Sequence, residues 1–386
     1  MTTFAELSQR ERLFERSALM PRPARARSVP GEDPVILVEQ NATVSIHPQL
    51  SPTPVWTYAG QFPGPVIEVD AGSHVDVVVH NKLAGSIPFV HVVVDTASGG
   101  SMNDAGSERA SEADADLTEA ANVAALDAWT VLHLHGAPTD ADSDGWTENV
   151  IGLGQRRRRS YEFPRERWTL QPAHALSARE LRSGAAPMYW YHDHAMAATR
   201  FTVYAGLAGT LLVRDPLETR LGLPVDPELE IPLLLMDRGL ATADDRADGA
   251  LTGALLHKVE TETRECFAPV NLVNGLAWPR IAVTPRVHRL RIVNGANART
   301  YRLHFLAVDG PSAGAAVGAD AVQQIGTDGG LLGQAVDLPF GSLTLSPGER
   351  ADVLVDFGWL ASTGVTRVDV LTSAPAPFCG DPSSAV

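Results

Sequence analysis

Sulfur, basic charge and long apolar runs are all scarce in this chain. Cys266 and Cys379 are its only cysteines, too few for a disulfide framework and spaced for neither a zinc ribbon nor a thioredoxin-type redox pair. One bridge between the two is the single covalent link left open. No stretch of about 18 apolar residues occurs, which excludes a membrane-spanning helix. The formal charge of -15 and the pI near 5.2 argue against nucleic acid or an anionic membrane surface as the main partner. Residues 1–20 carry Glu6, Arg10, Glu11, Arg12, Glu15 and Arg16 and no apolar centre, so no secretory signal is read and a cytoplasmic location is expected.

What is present is a soluble, globular composition. With 386 residues, 44% hydrophobic and 20% charged, the chain has room for two or three domains, each with its own core. Phe4, Leu7, Leu13, Phe14 and Leu19 among charges predict a short amphipathic helix, and Pro21, Pro23, Pro30 and Pro34 an extended arm, so 1–34 reads as a leader on the first domain. From Val35 the pattern changes to short alternating runs punctuated by Gly and Pro: 35–39, 66–69, 75–80 and 89–94. That spacing predicts a β-sandwich. The stretch 95–127, rich in Ala, Ser, Gly, Asp and Glu, reads as a solvent-exposed insertion. Arg156–Arg159 is a basic run expected on a strand edge or loop.

The second half repeats the style, with strands predicted at 231–236, 270–272, 281–283, 288–294, 301–306, 351–357 and 365–371. Asn274-Gly275 and Asp328-Gly329-Gly330 predict tight turns. The polar stretch after Asp215-Pro216 marks the boundary between a first domain, 35–215, and a second, 216–386. The fold class expected is all-β: two tandem Greek-key sandwiches.

Chemistry concentrates in two short motifs, His133-Leu134-His135-Gly136 and Tyr189-Trp190-Tyr191-His192-Asp193-His194. Alternate residues of a strand leave the same face, so His-X-His sets two imidazoles side by side, roughly 7 Å apart along the strand. Two such strands together make a four-imidazole nest. Neutral imidazole is a good ligand for copper, zinc, iron and nickel, and the lack of nearby cysteine or carboxylate spacing leans toward copper. A single pair among 12 histidines would be weak; two are not. Trp190 shares the histidine face and Tyr189 and Tyr191 the opposite one. His257, His288 and His304 are isolated and read as structural. Asp140, Asp142 and Asp144 lack the Gly and distal Glu of a calcium loop.

These residues resemble a known family. His133–Gly136, Tyr189–Met196 and Tyr204–Gly209 resemble the first domain of multicopper oxidases, most nearly the spore-coat laccase and phenoxazinone synthase branch. Gly60–Pro65 fits as well, while Leu272–Gly275 with Trp278-Pro279 and Gln324–Gly330 resemble the family's copper-free middle domain. The resemblance implies two cupredoxin-like sandwiches. It implies that His133 binds a type 2 copper, that His135, His192 and His194 bind paired type 3 coppers of a trinuclear cluster, and that Asp144 positions or delivers protons. The implied activity is one-electron oxidation of phenolic or aminophenolic reductants coupled to four-electron reduction of O2 to water.

The family also has a third domain with His-Pro-X-His-X-His and His-Cys-His motifs, which supply the type 1 copper and the other cluster ligands. Neither occurs here. Cys379 sits in Phe378-Cys379-Gly380 without a flanking histidine, and two-domain laccases need His-Cys-His too. The chain is therefore expected to be a truncated, partial or frameshifted version of the three-domain enzyme, inactive alone and awaiting a missing third domain or partner chain. The alternative is a non-catalytic copper-binding fragment or subunit. A zinc hydrolase would need Asp-His soon after the first pair, where Gly136-Ala137-Pro138 stands.

Overall fold

The computed structural model describes residues 18–29, 31–90, 128–163, 185–196, 198–243, 251–257 and 266–376. The expected leader helix, the insertion at 95–127 and Cys379 lie outside them. The first half contains β1 (Arg25–Arg27), β2 (Val35–Val44), β3 (Thr53–Tyr58), β4 (Val66–Asp70), β5 (His74–Asn81), β6 (Phe89–Val90), β7 (Leu132–His135), β8 (Arg156–Glu162), β9 (Met188–Asp193), α1 (Thr199–Ala205) and β10 (Ala208–Arg214). After α2 (Pro216–Arg220) come β11 (Glu230–Thr242), β12 (Leu251–Leu256), β13 (Val270–Val273), β14 (Leu276–Ala277), β15 (Val287–Asn294) and β16 (Tyr301–Ala307). The chain continues through β17 (Val322–Thr327), β18 (Gly330–Asp337), β19 (Leu343–Leu345), β20 (Arg350–Asp356), α3 (Phe357–Ser362) and β21 (Val368–Thr372).

The class is all-β, as expected. In the first half a sheet ordered β1-β4-β10-β9-β7 faces one ordered β3-β2-β5-β8. The core between them draws alternate residues from both: Leu37, Val75, Val77 and Val79 from one, Ile67, Leu132, Leu134, Tyr189 and Tyr191 from the other. β5 shows the cause plainly, alternating buried and partly exposed residues along its length. The basic run lies on β8, an edge strand as anticipated, with Arg158 paired to Asp76.

In the second half a sheet ordered β14-β13-β11-β15-β20-β17-β18, with β12 beside β11 and β6 beside β12, is covered on one face by β19-β16-β21. β11 is buried on both faces. Ile231, Leu233 and Leu235 enter the second sandwich core, while Leu234, Met236 and Leu240 pack with Met188, Trp190 and Leu212 of the first half. Asn274 and Gly275 carry φ of 48° and 80° between β13 and β14, the left-handed pair a two-residue hairpin requires.

One expectation needs correction. Residues 281–283 form no strand; Pro279 and Pro285 flank them and cannot donate to a ladder, and the Ala282 carbonyl instead accepts from Arg22. Gly206 caps α1, and β10 opens two residues later at Ala208.

Between the halves lies a buried ion cluster. Arg289 meets Glu218 and Asp352 at 2.6 Å each, and Arg291 lies 3.3 Å from Glu230. Arg214 pairs with Glu68 and Glu230, and Arg25 of β1 pairs with Glu68. On β15 the arginines share one face and Leu290 and Ile292 turn to the core. Burial alone would raise the Glu230 carboxyl, but Arg214, Arg291 and Arg289 hold it down at about 2, below its ordinary 4.5. Stability from this charge is therefore present above pH 4.5 and is lost as pH falls toward 2. Glu230→Ala is expected to lower the unfolding free energy at pH 7 by about 3–5 kcal/mol in denaturant titrations, because it strands buried arginines. A loss below about 1 kcal/mol would contradict this.

Candidate metal centre

The nest is built by strand register. β7 and β9 run antiparallel with His133 opposite His192 and His135 opposite Trp190. The His194 amide donates to the Val131 carbonyl at 2.8 Å, carrying the ladder one step past β9. Ring centroids follow: His133 lies 5.0 Å from His194, 5.3 Å from His192 and 5.8 Å from His135. His192 lies 5.4 Å from His135 and 5.6 Å from His194. One ring nitrogen from each of His133, His135 and His192 falls within 4.8 Å of the others. The structure thus brings all four histidines together.

Hydrogen bonds fix which nitrogens face inward. A carbonyl only accepts, so the contacts from His133 Nδ1 to the Asp144 carbonyl at 2.5 Å and from His192 Nδ1 to the Asp193 carbonyl at 2.7 Å put the proton on Nδ1 in each ring. Their Nε2 lone pairs are left for a ligand. His135 Nδ1 stands 3.2 Å from His192 Nε2. His194 Nδ1 is buried without a hydrogen-bond partner, a polar atom that calls for a bound group. Burial lowers the His133 pKa against the opposing pull of Asp144, and holds His192 well below the usual histidine range. Burial, then Arg350 and His133, push His135 down to about 4. These three imidazoles are neutral at pH 7, the form that binds metal. An all-imidazole donor set with paired, forced lone pairs fits copper.

The surrounding residues hold this arrangement. Gly145, at φ +89°, lets the Asp144 loop lie on β7; a methyl there would meet the Leu132 carbonyl oxygen at 2.3 Å. The Asp144 carboxylate accepts from the Thr139 hydroxyl at 2.6 Å and sits 3.7 Å from His133 Nδ1. Trp190 is 4.2 Å from His192 and 5.0 Å from His135, ring to ring, on the histidine face as expected, and walls that side. Tyr191 points the other way, its hydroxyl donating to the Pro65 carbonyl at 2.7 Å.

Asp193 was not singled out by its sequence. Its buried carboxylate accepts from the Val131 amide at 2.6 Å, the Ala195 amide at 3.2 Å and the Thr202 hydroxyl at 2.5 Å. It ties β7, the turn after β9 and α1 together behind the nest. The only available signal was its place between two histidines, on the face away from them.

The three histidines read as isolated stay apart from the nest. His257 packs between Phe201 and Tyr204, His288 against Phe357, and His304 hydrogen-bonds Ser373. Cys266 is buried, its sulfur donating to the His257 carbonyl at 2.6 Å. Asp140 and Asp142 carbonyls are taken by the turn amides and by Arg159. Asp193→Ala would strand the buried amides of Val131 and Ala195, so the unfolding free energy is expected to fall by about 3 kcal/mol or more. A thermal or denaturant shift worth less than about 1 kcal/mol would count against the tie.

Comparison with known proteins agrees with the geometry. Residues 40–93 match the family model described as multicopper oxidase. The laccase of Bacillus subtilis (strain 168) is 34% identical over 334 residues, covering 82% of this chain and 53% of that protein. The laccase of Haloferax volcanii is 31% identical over 350 residues, covering 89% and 53%. Among solved structures, the laccase from Pediococcus acidilactici superposes with a TM-score of 0.62 at 25% identity, covering 92% of this chain and 59% of that one. The chain spans about half the length of the curated relatives it matches. Two strands that each deliver a His-X-His pair to one nest, within sandwiches shared with these relatives, make the chain a member of the multicopper oxidase family, whose cofactor is copper.

Proposed function

We propose that the nest is one half of a trinuclear copper centre, with His133 holding the type 2 ion and His135, His192 and His194 the type 3 pair. The observation that carries this is the inward lone pairs of His133 and His192, forced by the carbonyls of Asp144 and Asp193. Bound copper supplies one-electron steps from a phenolic or aminophenolic reductant to O2, four electrons for each O2 reduced to water.

The chain's own part is to bind, orient and exclude. The Asp144 and Asp193 carbonyls lock two rings, and Trp190 and the packed core keep water from the walled side. The Asp144 carboxylate, half exposed beside His133, stands where it can pass protons between solvent and the site. The division into units 35–215 and 216–386 is supported by separate cores on either side of the Asp215 capping box that opens α2.

A second reading concerns the chain by itself. Four imidazoles are half of a ligand set, and among the described residues the one cysteine is buried at the His257 carbonyl. No described residue offers a cysteine ligand for a type 1 copper. Alone, the chain holds copper without turnover, and a further segment or partner chain supplies the rest.

The coding sequence beyond the Val386 codon is the first test. The proposal expects His-Pro-X-His-X-His and then His-Cys-His, and a copper-loaded product that takes up one O2 for four electrons from 2-aminophenol, an uptake abolished by His192→Ala. Oxygen uptake indifferent to that change would contradict the oxidase reading.

A further inference from the structure

Carbonyls of the strands and turns that carry them hold three of the four histidines; the His135 ring is not held in this way. The Asp144 and Asp193 carbonyls orient His133 and His192, and the Val131 carbonyl holds the backbone of His194. His135 has no such carbonyl among the described residues. Beyond Trp190 and the neighbouring imidazoles, what lies against its ring comes from the second half.

β20 opens at Arg350, whose side chain is 5% exposed. Its Nε donates to the carbonyl of Met188, the first residue of β9, at 3.1 Å. Its Nη1 donates to the Gly348 carbonyl at 3.0 Å and its Nη2 to the Asp328 carbonyl at 3.2 Å. The Arg350 amide donates to Asp328 Oδ1 at 2.6 Å, and the guanidinium lies 3.3 Å from the same oxygen. A fork held at three carbonyls and a carboxylate has little freedom.

This fork sits directly on the first histidine motif. A methyl on Gly136, the residue after His135, would come within 2.3 Å of Arg350 Nη2. Two residues before Arg350, Gly348 at φ +86° turns its bare backbone toward the His135 ring. A methyl there would come within 2.9 Å of His135 Nε2 and 3.0 Å of Cε1. The outer edge of the imidazole is thus backed by chain, and only Nδ1 is left facing His192.

We propose that Gly348 and Arg350, contributed by the second half, are the positioning residues for His135, holding its outer edge so that Nδ1 is presented to the nest. The proposal rests on the reading of the nest as a copper centre and deepens it. It makes ligand geometry in one half depend on the docking of the other: Arg350 cannot reach Met188 unless β20 is seated against β9. Sequence gave no warning, since Met188 and Arg350 are 162 residues apart.

The test reads His135 directly, in the metal-free 386-residue chain, by diethyl pyrocarbonate labelling and peptide mass spectrometry. Exposed His74 serves as the reactive standard, and His47 and His288, buried and remote, as folding controls. In Arg350→Lys, which keeps the charge but not the fork, His135 labelling is expected to rise several-fold while His47 and His288 stay unlabelled. Copper(II) affinity, from competition with a chelator, should fall about tenfold or more, as when a group that orients a ligand is removed. Arg302→Ala, elsewhere in the second half, should change neither.

His135 labelling and copper affinity both at wild-type level in Arg350→Lys would overturn the proposal. If His47 and His288 also become labelled, the variant has unfolded and Gly348→Ala decides by the same two readings, since it removes no hydrogen bond. A wild-type chain that binds no copper, yet whose His135 labelling responds to Arg350→Lys, would sink the copper reading and leave the positioning contact standing. Copper binding lost in His192→Ala but untouched in both second-half variants would do the reverse.

Discussion

The antiparallel register of β7 and β9 is the constraint on which the site depends. With His133 set opposite His192, and His135 opposite Trp190, strand periodicity alone sends four imidazoles to one face and Leu134, Tyr189 and Tyr191 to the core. A slip of one residue would exchange the two sets, burying histidine among aliphatic side chains. The register is held from behind: Asp193 gathers two amides and a hydroxyl from three segments. A carboxylate between two histidines thereby fixes where both of them point.

Electrostatics extends that local order to the whole molecule. The nest contains three imidazoles kept neutral by burial, whereas the cluster around Glu230 contains charges kept ionised by one another. Buried ion pairs add little stability over a well-packed apolar contact, but breaking one is expensive. That asymmetry suits a junction that must dock in one way. Arg25 of β1, Glu68 of β4, Arg214 of β10, Glu230 of β11 and Arg289 of β15 lock the first sheet to the second, and the same docking brings Arg350 to β9.

Much of this was legible from local pattern. The two His-X-His pairs, the sidedness of Trp190 and the hairpin at Asn274-Gly275 follow from periods of two and from glycine chemistry, which act over a few residues. The misses have other causes. α1, Thr199–Ala205, was not foreseen, being rich in β-branched and aromatic residues; it is helical because Thr202 is drawn onto Asp193 and the segment packs on the core. α2 carried a legible Asp-Pro-X-Glu signal, and its capping box forms. Arg350 lay beyond local reasoning: nothing in Pro347-Gly348-Glu349-Arg350 distinguishes a surface turn from a contact made with a strand far away in sequence.

The central claim is that four imidazoles from two strands form a copper site with no sulfur ligand. X-ray absorption at the copper K edge of the loaded chain tests it most directly. The account predicts a first shell of nitrogen or oxygen with the outer-shell scattering of imidazole rings, and loss of that scattering when His133 and His192 are both replaced by alanine. A copper–sulfur shell, or an imidazole signal unchanged in the double variant, would contradict it.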